Sequence, residues 1–277
     1  MSAAAGTPVR TVIVGAAGRM GSQLLRSLHE FPPLTLHGAL VEEGHPALGK
    51  DASALAGAEP RGVLITSSLA PLLKSANLVL DFSHPSAAGE HLADCVAARV
   101  PMLIGTTGLS PEFESQLGRA AKAIAVMAVA NTSLGVNLLL QLVRQAARQL
   151  PPGYDIEIVE THHRGKRDAP SGTALALGKA AAEGRGVDFS QKAVYDRHGM
   201  GEPRETGAIA LVSMRGGDVV GEHEVRFLGD GERVILGHCA TDRVVFARGA
   251  LTAGRWLAGK SPGCYAMNDF LAEKLIG

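Results

Sequence analysis

The feature that most constrains this fold is a glycine-spaced turn, Gly15-Ala16-Ala17-Gly18-Arg19-Met20-Gly21, joined directly to a short apolar run, Thr11 to Gly15. The run TVIVG reads as a buried strand, and Ser22 to Glu30 (SQLLRSLHE) reads as a helix. Glycines between a strand and a helix allow a tight turn, close approach to a bound group and close helix packing. The helix start offers free N–H groups and positive dipole, which suit a pyrophosphate, and Arg19 adds a cation nearby. Alone, G-x-x-G-x-x-G could be a bare tight turn. The order strand, turn, helix at the start of the chain favours a dinucleotide-binding unit.

The rest of the first half repeats that alternation. Strand-like runs fall at Leu34 to Leu40, Leu78 to Phe82, Pro101 to Ile104 and Ala123 to Ala130, with helical stretches at His84 to Arg99 and Pro111 to Lys122. This predicts an α/β, Rossmann-like, doubly wound parallel sheet. After a helix from Val136 to Leu150, Pro151-Pro152-Gly153 breaks the chain. A strand (Tyr154 to Thr161) and a helix (Ser171 to Ala182) follow. Strands then come in succession at Ala208 to Met214, Glu222 to Leu228 and Glu232 to Cys239. Successive strands predict a second α+β domain with an open mixed sheet, mostly antiparallel. A last helix, Arg243 to Ala258, carries the chain back, so the expected division is 1–133 plus 244–277, and 134–243.

Composition excludes several classes. The 27 basic and 27 acidic residues cancel, so no general attraction to nucleic acid or anionic membranes is expected. No apolar run approaches the roughly 20 residues that cross a bilayer, and the lead Met1 to Arg10 has no apolar signal core. A cytoplasmic protein is expected. Cys95, Cys239 and Cys264 have no metal or disulfide spacing, and inert packing is the expected role of all three.

In dinucleotide-binding units an acidic residue about 20 residues past the glycines holds the adenine ribose. Glu42 has that spacing, just after the strand Leu34 to Leu40, although Val41 could take the slot instead. Paired exposed glutamates, here Glu42 and Glu43, also occur simply for solubility.

The densest chemistry runs Glu160-Thr161-His162-His163-Arg164-Gly165-Lys166-Arg167-Asp168-Ala169-Pro170-Ser171-Gly172-Thr173-Ala174. Two histidines and several cations end a strand and lead into a helix, with Pro170 fitting that helix's first turn. Ser171, Gly172 and Thr173 at a positive helix end would bind a carboxylate, strengthened by Lys166. An imidazole among them can exchange a proton near neutral pH. A solvated basic loop would share this composition; adjacent histidines beside a carboxylate-binding helix start favour function. No ligand spacing for a metal completes itself here, and none is expected.

At this cluster the chain resembles the 4-hydroxy-tetrahydrodipicolinate (dihydrodipicolinate) reductase family, whose signature reads E-x-H-H-x-x-K-x-D-A-P-S-G-T-A. Gly15 to Gly21, Asp81-Phe82-Ser83, Gly105-Thr106-Thr107-Gly108, Ala130 to Asn137, Arg215 to His223 and Gly231-Glu232-Arg233 agree, so the resemblance spans essentially the whole chain. The resemblance implies NAD(P)H-dependent reduction of a cyclic imine dicarboxylate in lysine biosynthesis, by a homotetramer assembled through the second domain's sheet. By resemblance, His162 is the general acid or base and Lys166 a further proton donor. His163, Lys166, Ser171, Gly172 and Thr173 would bind the substrate. Gly15, Ala16, Ala17, Gly18, Arg19, Met20 and Glu42 would hold the cofactor, with Gly105, Thr106, Thr107, Val129, Ala130, Asn131 and Thr132 at the nicotinamide. The chain departs from the family at three places. Val41 stands where an acidic residue is frequent, often followed by an arginine, and Glu42 and Glu43 follow it instead, so NADH should equal or exceed NADPH. His84 replaces an arginine, and Thr132 an aromatic residue. Two rivals fit less well: a semialdehyde dehydrogenase needs an activated cysteine, and a nucleotide sensor would not need the His/Lys cluster.

Overall fold

The computed structural model describes residues 7–195 and 197–274; the first six residues of the N-terminal lead lie outside them. The chain divides into two compact units, Met1–Leu134 with Val244–Gly277, and Gly135–Arg243.

The first unit is a parallel sheet clothed on both faces. Its strands are β1 (Val9–Val14), β2 (Leu34–Leu40), β3 (Ile65–Thr66), β4 (Leu78–Asp81), β5 (Met102–Ile104), β6 (Ala125–Ala128) and β12 (Gly263–Tyr265), in the order β12-β6-β5-β4-β1-β2-β3. The pleat sends successive side chains to opposite faces. Ile13, Leu78 and Leu80 therefore pack with α1 (Arg19–Ser27), α9 (Val244–Leu257) and α10 (Met267–Lys274). Val12, Val14 and Val79 pack with α3 (Ala70–Leu73), α4 (Pro85–Ala98) and α5 (Pro111–Ala120). A strand buried on both sides favours apolar residues, which is why β4 reads LVL before the buried Asp81 at its end. The chain moves outward from β1 to β2 and β3, then returns to β4 on the other side. That reversal opens a crevice beyond the carboxyl ends of β1 and β4.

Several boundaries differ from the sequence reading. α1 begins at Arg19, three residues before Ser22, because Gly18 is its N-cap. Its expected last turn tightens into a 3₁₀ turn at Leu28–Glu30. β3, β12 and the one-turn α2 (Ala52–Leu55) and α3 were not anticipated, because two- to four-residue elements carry too little periodicity; the eight-residue α10 was not anticipated either. α4 is capped as its ends suggest, by His84 accepting from the Ser86 N–H and by Arg99 in the left-handed region at φ 56°.

The second unit holds α6 (Leu134–Gln149, but for its first residue), β7 (Asp155–His162), α7 (Gly172–Arg185), α8 (Phe189–Lys192), β8 (Ala193–Val194), β9 (Ile209–Arg215), β10 (Gly221–Leu228) and β11 (Arg233–Ala240). Its sheet runs β11-β10-β7-β9-β8. The sheet is mixed, as expected: β10 pairs β7 and β11 antiparallel, but β9 pairs β7 and β8 parallel. The cause is α7, a crossover that returns the chain in the direction of β7. One sheet face packs Ile156, Ile158, Val225 and Phe227 on Leu139 and Val143 of α6 and Leu177 and Ala181 of α7. The opposite face leaves Val212, Met214 and Ile235 exposed.

Among the described residues no helix is long and apolar enough to cross a membrane, and no group of three or more His, Cys, Asp or Glu is placed for a metal. The cysteines correct a further expectation. Cys95 is buried in the core, but Cys239 and Cys264 are exposed, and all three are free. Edge strands β11 and β12 carry the exposed pair, a placement that depends on sheet order rather than on local sequence.

Candidate active site

The first unit gathers the residues expected around a dinucleotide. Gly15 has φ +74°, and a Cβ there would lie 2.5 Å from the Phe82 carbonyl oxygen. A Cβ at Gly21 would lie 2.1 Å from the Gly15 carbonyl oxygen, so only glycine lets α1 sit this close to the turn. No side chain caps the first turn of α1, leaving its N–H groups for an anion. Ala16 is buried and its N–H donates to the Leu40 carbonyl at 2.9 Å, tying the turn to the end of β2. Ala17 and Met20 are half-buried, while Gly18 and Arg19 are exposed. Beyond β2, Val41 and Glu42 differ in burial. Val41 packs into the core, and Glu42 is the first exposed side chain.

A cleft of about 290 Å³ lies at the ends of β4, β5 and β6, lined by Met20, Phe82, Gly105, Thr107, Val129, Ala130, Asn131, Thr132 and Phe246. Gly105 makes room for the Phe82 ring, since a Cβ would lie 2.0 Å from its edge. Two of the residues expected here have internal duties. The buried Thr106 hydroxyl donates within the loop after β4, at 3.3 Å from Asp81 Oδ1 and 3.2 Å from the Ser83 carbonyl. The Thr132 hydroxyl donates to the Phe246 carbonyl at 2.7 Å, so Thr132 offers the cleft no free hydroxyl. Phe246 escaped the sequence reading because it comes from α9, more than 100 residues from the rest of the wall. Asp81 organises this end: its buried carboxylate accepts from the Ser83 N–H at 2.8 Å and meets His91 Nδ1 at 2.8 Å. Burial alone would raise its pKa, but the His91 contact and the Ser83 bonds hold it down.

The second unit gathers the titratable cluster on β7. Alternation along the strand turns Ile156, Ile158, Glu160 and His162 inward together. His162 Nδ1 lies 2.5 Å from Glu160 Oε2. Arg215 grips the same carboxylate with both ends, Nη1 to Oε2 at 2.9 Å and Nη2 to Oε1 at 2.8 Å. The Ser171 N–H adds a bond to Oε1 at 3.1 Å. Burial would push this carboxyl up, yet hydrogen bonds from Arg215, Ser213 and His162 hold it near 2. Glu160 is therefore a carboxylate throughout the physiological range. It holds the His162 proton on Nδ1 and turns Nε2 toward Gly221, where a Cβ would lie 2.9 Å away. Burial lowers the His162 pKa below the ordinary imidazole value, against the upward pull of Glu160.

Around this pair, Lys166 is bridged to the exposed Asp168 at 2.9 Å. His163 Nε2 lies 3.4 Å from Arg243 Nη2, so that nitrogen accepts. Pro170 is corrected from the first helical turn to the position before the cap. α7 starts at Gly172, and Ser171 is its N-cap, accepting from the Ala174 N–H at 3.1 Å. Gly172 is exposed and Thr173 half-buried, so the helix start is open to an anion. Buried His223 contacts Ser171 Oγ through Nε2 at 3.0 Å and meets His162 edge-on, with ring centroids 5.1 Å apart. Burial first, then the neighbouring His162, pushes its pKa down to about 4. Glu160, Arg215 and His223 were quoted in motifs without a role. The E-x-H spacing of Glu160 and His162 was a readable signal. Arg215 and His223 arrive only through strand register, opposite His162 and Glu160 respectively. Neither Cys95 nor Cys239 is an activated nucleophile, because burial raises the first thiol pKa and the Glu222 contact raises the second.

Two family profiles match the chain: "Dihydrodipicolinate reductase, N-terminus" over residues 9–132 and "Dihydrodipicolinate reductase, C-terminus" over residues 135–271. A 4-hydroxy-tetrahydrodipicolinate reductase of Anaeromyxobacter dehalogenans is 49% identical over 262 residues, 95% of this chain and 97% of the relative. Its namesake in Parvibaculum lavamentivorans is 50% identical over 95% of this chain and 97% of its own length. Among solved structures, dipicolinate-bound dihydrodipicolinate reductase from Paenisporosarcina sp. TG-14 superposes with TM-score 0.75 at 24% identity, covering 94% of this chain and 98% of that one. An amine dehydrogenase from Mycobacterium smegmatis shares the fold at TM-score 0.60 and 13% identity, covering 95% and 96%.

Proposed function

The chain belongs to the dihydrodipicolinate reductase family, and on that premise we propose that it reduces 4-hydroxy-tetrahydrodipicolinate to tetrahydrodipicolinate with NADH or NADPH, in lysine biosynthesis. The observation that carries this reading is the Arg215–Glu160–His162 array beside the open start of α7.

The glycine turn, the uncapped start of α1 and exposed Glu42 fit a dinucleotide's pyrophosphate and adenine ribose, and the cleft beside Met20, Gly105 and Thr107 fits a nicotinamide. When bound, NAD(P)H supplies the hydride. Two carboxylates on the substrate ring call for cations and helix N–H groups. The Gly172 and Thr173 end of α7 offers the N–H groups, and Lys166 a charge that can leave its exposed, weakly held partner Asp168. His163 lies on the same loop. Loss of water from the carbon bearing the 4-hydroxyl leaves a ring C=C conjugated with C=N. As hydride adds to the far end of that C=C, electron density collapses toward nitrogen, and the adjacent ring carbon of the resulting enamine takes a proton, which restores C=N. His162 gives that proton from Nε2, while Glu160 holds Nδ1–H and stabilises the imidazolium. A bound dianion raises the proton affinity of an imidazole that burial has lowered, so His162 loads its proton when substrate arrives. Lys166 stabilises the developing negative charge.

Exposed Glu42 favours the ribose hydroxyls of NADH over the 2′-phosphate of NADPH. A homotetramer formed through the open face of the second unit's sheet, and a cytoplasmic location, belong to the same proposal. The test follows NADH and NADPH absorbance with freshly made substrate. Substrate-dependent loss of absorbance is expected, and its absence with both cofactors overturns the reading.

A further inference from the structure

We propose that His223 is a positioning residue: it donates from Nε2 to Ser171 and so frees the Ser171 hydroxyl to donate to a carboxylate of the bound substrate. This rests on the dicarboxylate reading above and adds a residue with which no role has yet been associated.

The argument is a count of donors and acceptors. Ser171 Oγ already accepts from the Ala174 N–H at 3.1 Å and faces His223 Nε2 at 3.0 Å. The Ser171 N–H is spent on Glu160 Oε1 at 3.1 Å, so the hydroxyl hydrogen is the one donor that Ser171 has left. His223 is buried, and its Nδ1 has no hydrogen-bond partner among the described residues. A neutral imidazole carries one N–H and one bare nitrogen. If Ser171 donated to Nε2, the ring proton would sit on Nδ1 as a buried N–H without an acceptor, an arrangement that folded proteins avoid. If Nε2–H donates to Ser171, only a lone pair is left bare at Nδ1. The serine hydrogen then lacks an acceptor until a ligand provides one.

That acceptor has a natural place. An N-cap oxygen sits among the N–H groups of the first helical turn. The next residue, Gly172, is exposed and has no side chain to obstruct an anion. A carboxylate bound at the start of α7 therefore borders Ser171 Oγ and completes the network. The ring stays neutral near pH 7, because burial pushes its pKa down to about 4. It thus remains a single-proton donor.

Two measurements test this. First, ¹⁵N NMR of histidine-labelled enzyme reads the His223 tautomer, assigned by the signal lost in His223→Gln. The Nε2–H form is expected; an Nδ1–H form overturns the proposal, whatever the enzyme catalyses. Second, calorimetry measures binding of dipicolinate, a stable dicarboxylate, to the NADH-loaded enzyme. His223→Leu is expected to bind about tenfold more weakly or worse, with KM for substrate rising in step and kcat within about threefold of wild type. His223→Gln, which keeps an N–H donor, should restore binding. Equal binding by His223→Leu and wild type overturns the proposal while leaving the reductase reading intact. So does a collapse of kcat with binding unchanged, which would assign His223 to the support of His162. If wild type itself ignores dipicolinate and substrate, the reading beneath has failed and the proposal falls with it. Should His223→Leu not fold, the wild-type tautomer and His223→Gln still decide.

Discussion

Glu160 and His162 sit two residues apart on one strand, with Oε2 and Nδ1 2.5 Å apart, and Arg215 braces the far side of the carboxylate. The pair works as a unit because the strand alternation points both inward, while Arg215 and Ser213 keep Glu160 charged. Removing either member should therefore damage the proton transfer more than binding. His162→Gln is expected to lower kcat by ~10²–10⁴-fold with a much smaller change in KM. Glu160→Gln should lower kcat by about tenfold or more and lower the melting temperature, because Arg215 loses its buried counter-charge. Steady-state kinetics with thermal melts would check both. An unchanged kcat in His162→Gln removes this histidine from the mechanism.

Cofactor choice is testable at the exposed end of β2. Wild-type kcat/KM for NADH should equal or exceed that for NADPH. Glu42→Arg should move the ratio toward NADPH, by replacing a repulsive charge with an attractive one. A wild-type preference for NADPH of tenfold, about 1.4 kcal/mol, would show that Glu42 does not face the ribose.

Acid should weaken the fold through His223. Its folded pKa, pushed to about 4 chiefly by burial, lies below the 6.5 of an unperturbed imidazole. Below 6.5 the unfolded chain binds a proton that the folded chain refuses, so stability falls as pH drops from 6.5 toward 4 and this loss then levels off. The effect is on the order of 3 kcal/mol. Glu160 acts lower, its contribution being lost as pH falls from 4.5 toward 2. Urea unfolding near pH 7 and near pH 5 should show the loss in wild type and a smaller one in His223→Gln. Equal stability of wild type at the two pH values contradicts a buried neutral His223.

Two glycines in helices should respond oppositely to alanine. At Gly249 of α9 a Cβ would lie 1.8 Å from the Thr132 carbonyl oxygen, and backbone there cannot yield cheaply. Gly249→Ala should cost several degrees of melting temperature or prevent folding. At exposed Gly118 of α5 a Cβ meets nothing within 4 Å. Gly118→Ala should stabilise by about 0.5–1 kcal/mol. Calorimetric melts in which both variants moved the same way would refute this packing account.

Assembly should depend on the outward face of the second sheet. Strand register places Val159, Val212 and Glu224 in one row across β7, β9 and β10, with Thr161, Met214 and Glu222 beside it. Light scattering of the wild type is expected to give a tetramer, and Val212→Lys with Ile235→Lys a smaller species. A stable wild-type monomer at micromolar concentration rules the assembly out.

Local pattern made much of this protein readable in advance. β2 runs Leu34–Leu40 as its apolar content indicates, and Glu160 to Thr173 declares its chemistry in one uninterrupted stretch. Glycine spacing, cap residues and the pleat's period of two act over a few residues, so a linear reading captures them. What tertiary structure alone decided depends on groups that the chain brings together from afar. Arg215 and His223 reach Glu160 and His162 only because β9 and β10 flank β7 in a particular register. The Thr106 and Thr132 hydroxyls donate internally because their acceptors, Asp81, Ser83 and Phe246, lie on other elements. Cys239 and Cys264 are exposed because of which strands close the sheets. Register and sheet order are settled by packing over the whole domain, where a slip of one residue turns every side chain to the other face.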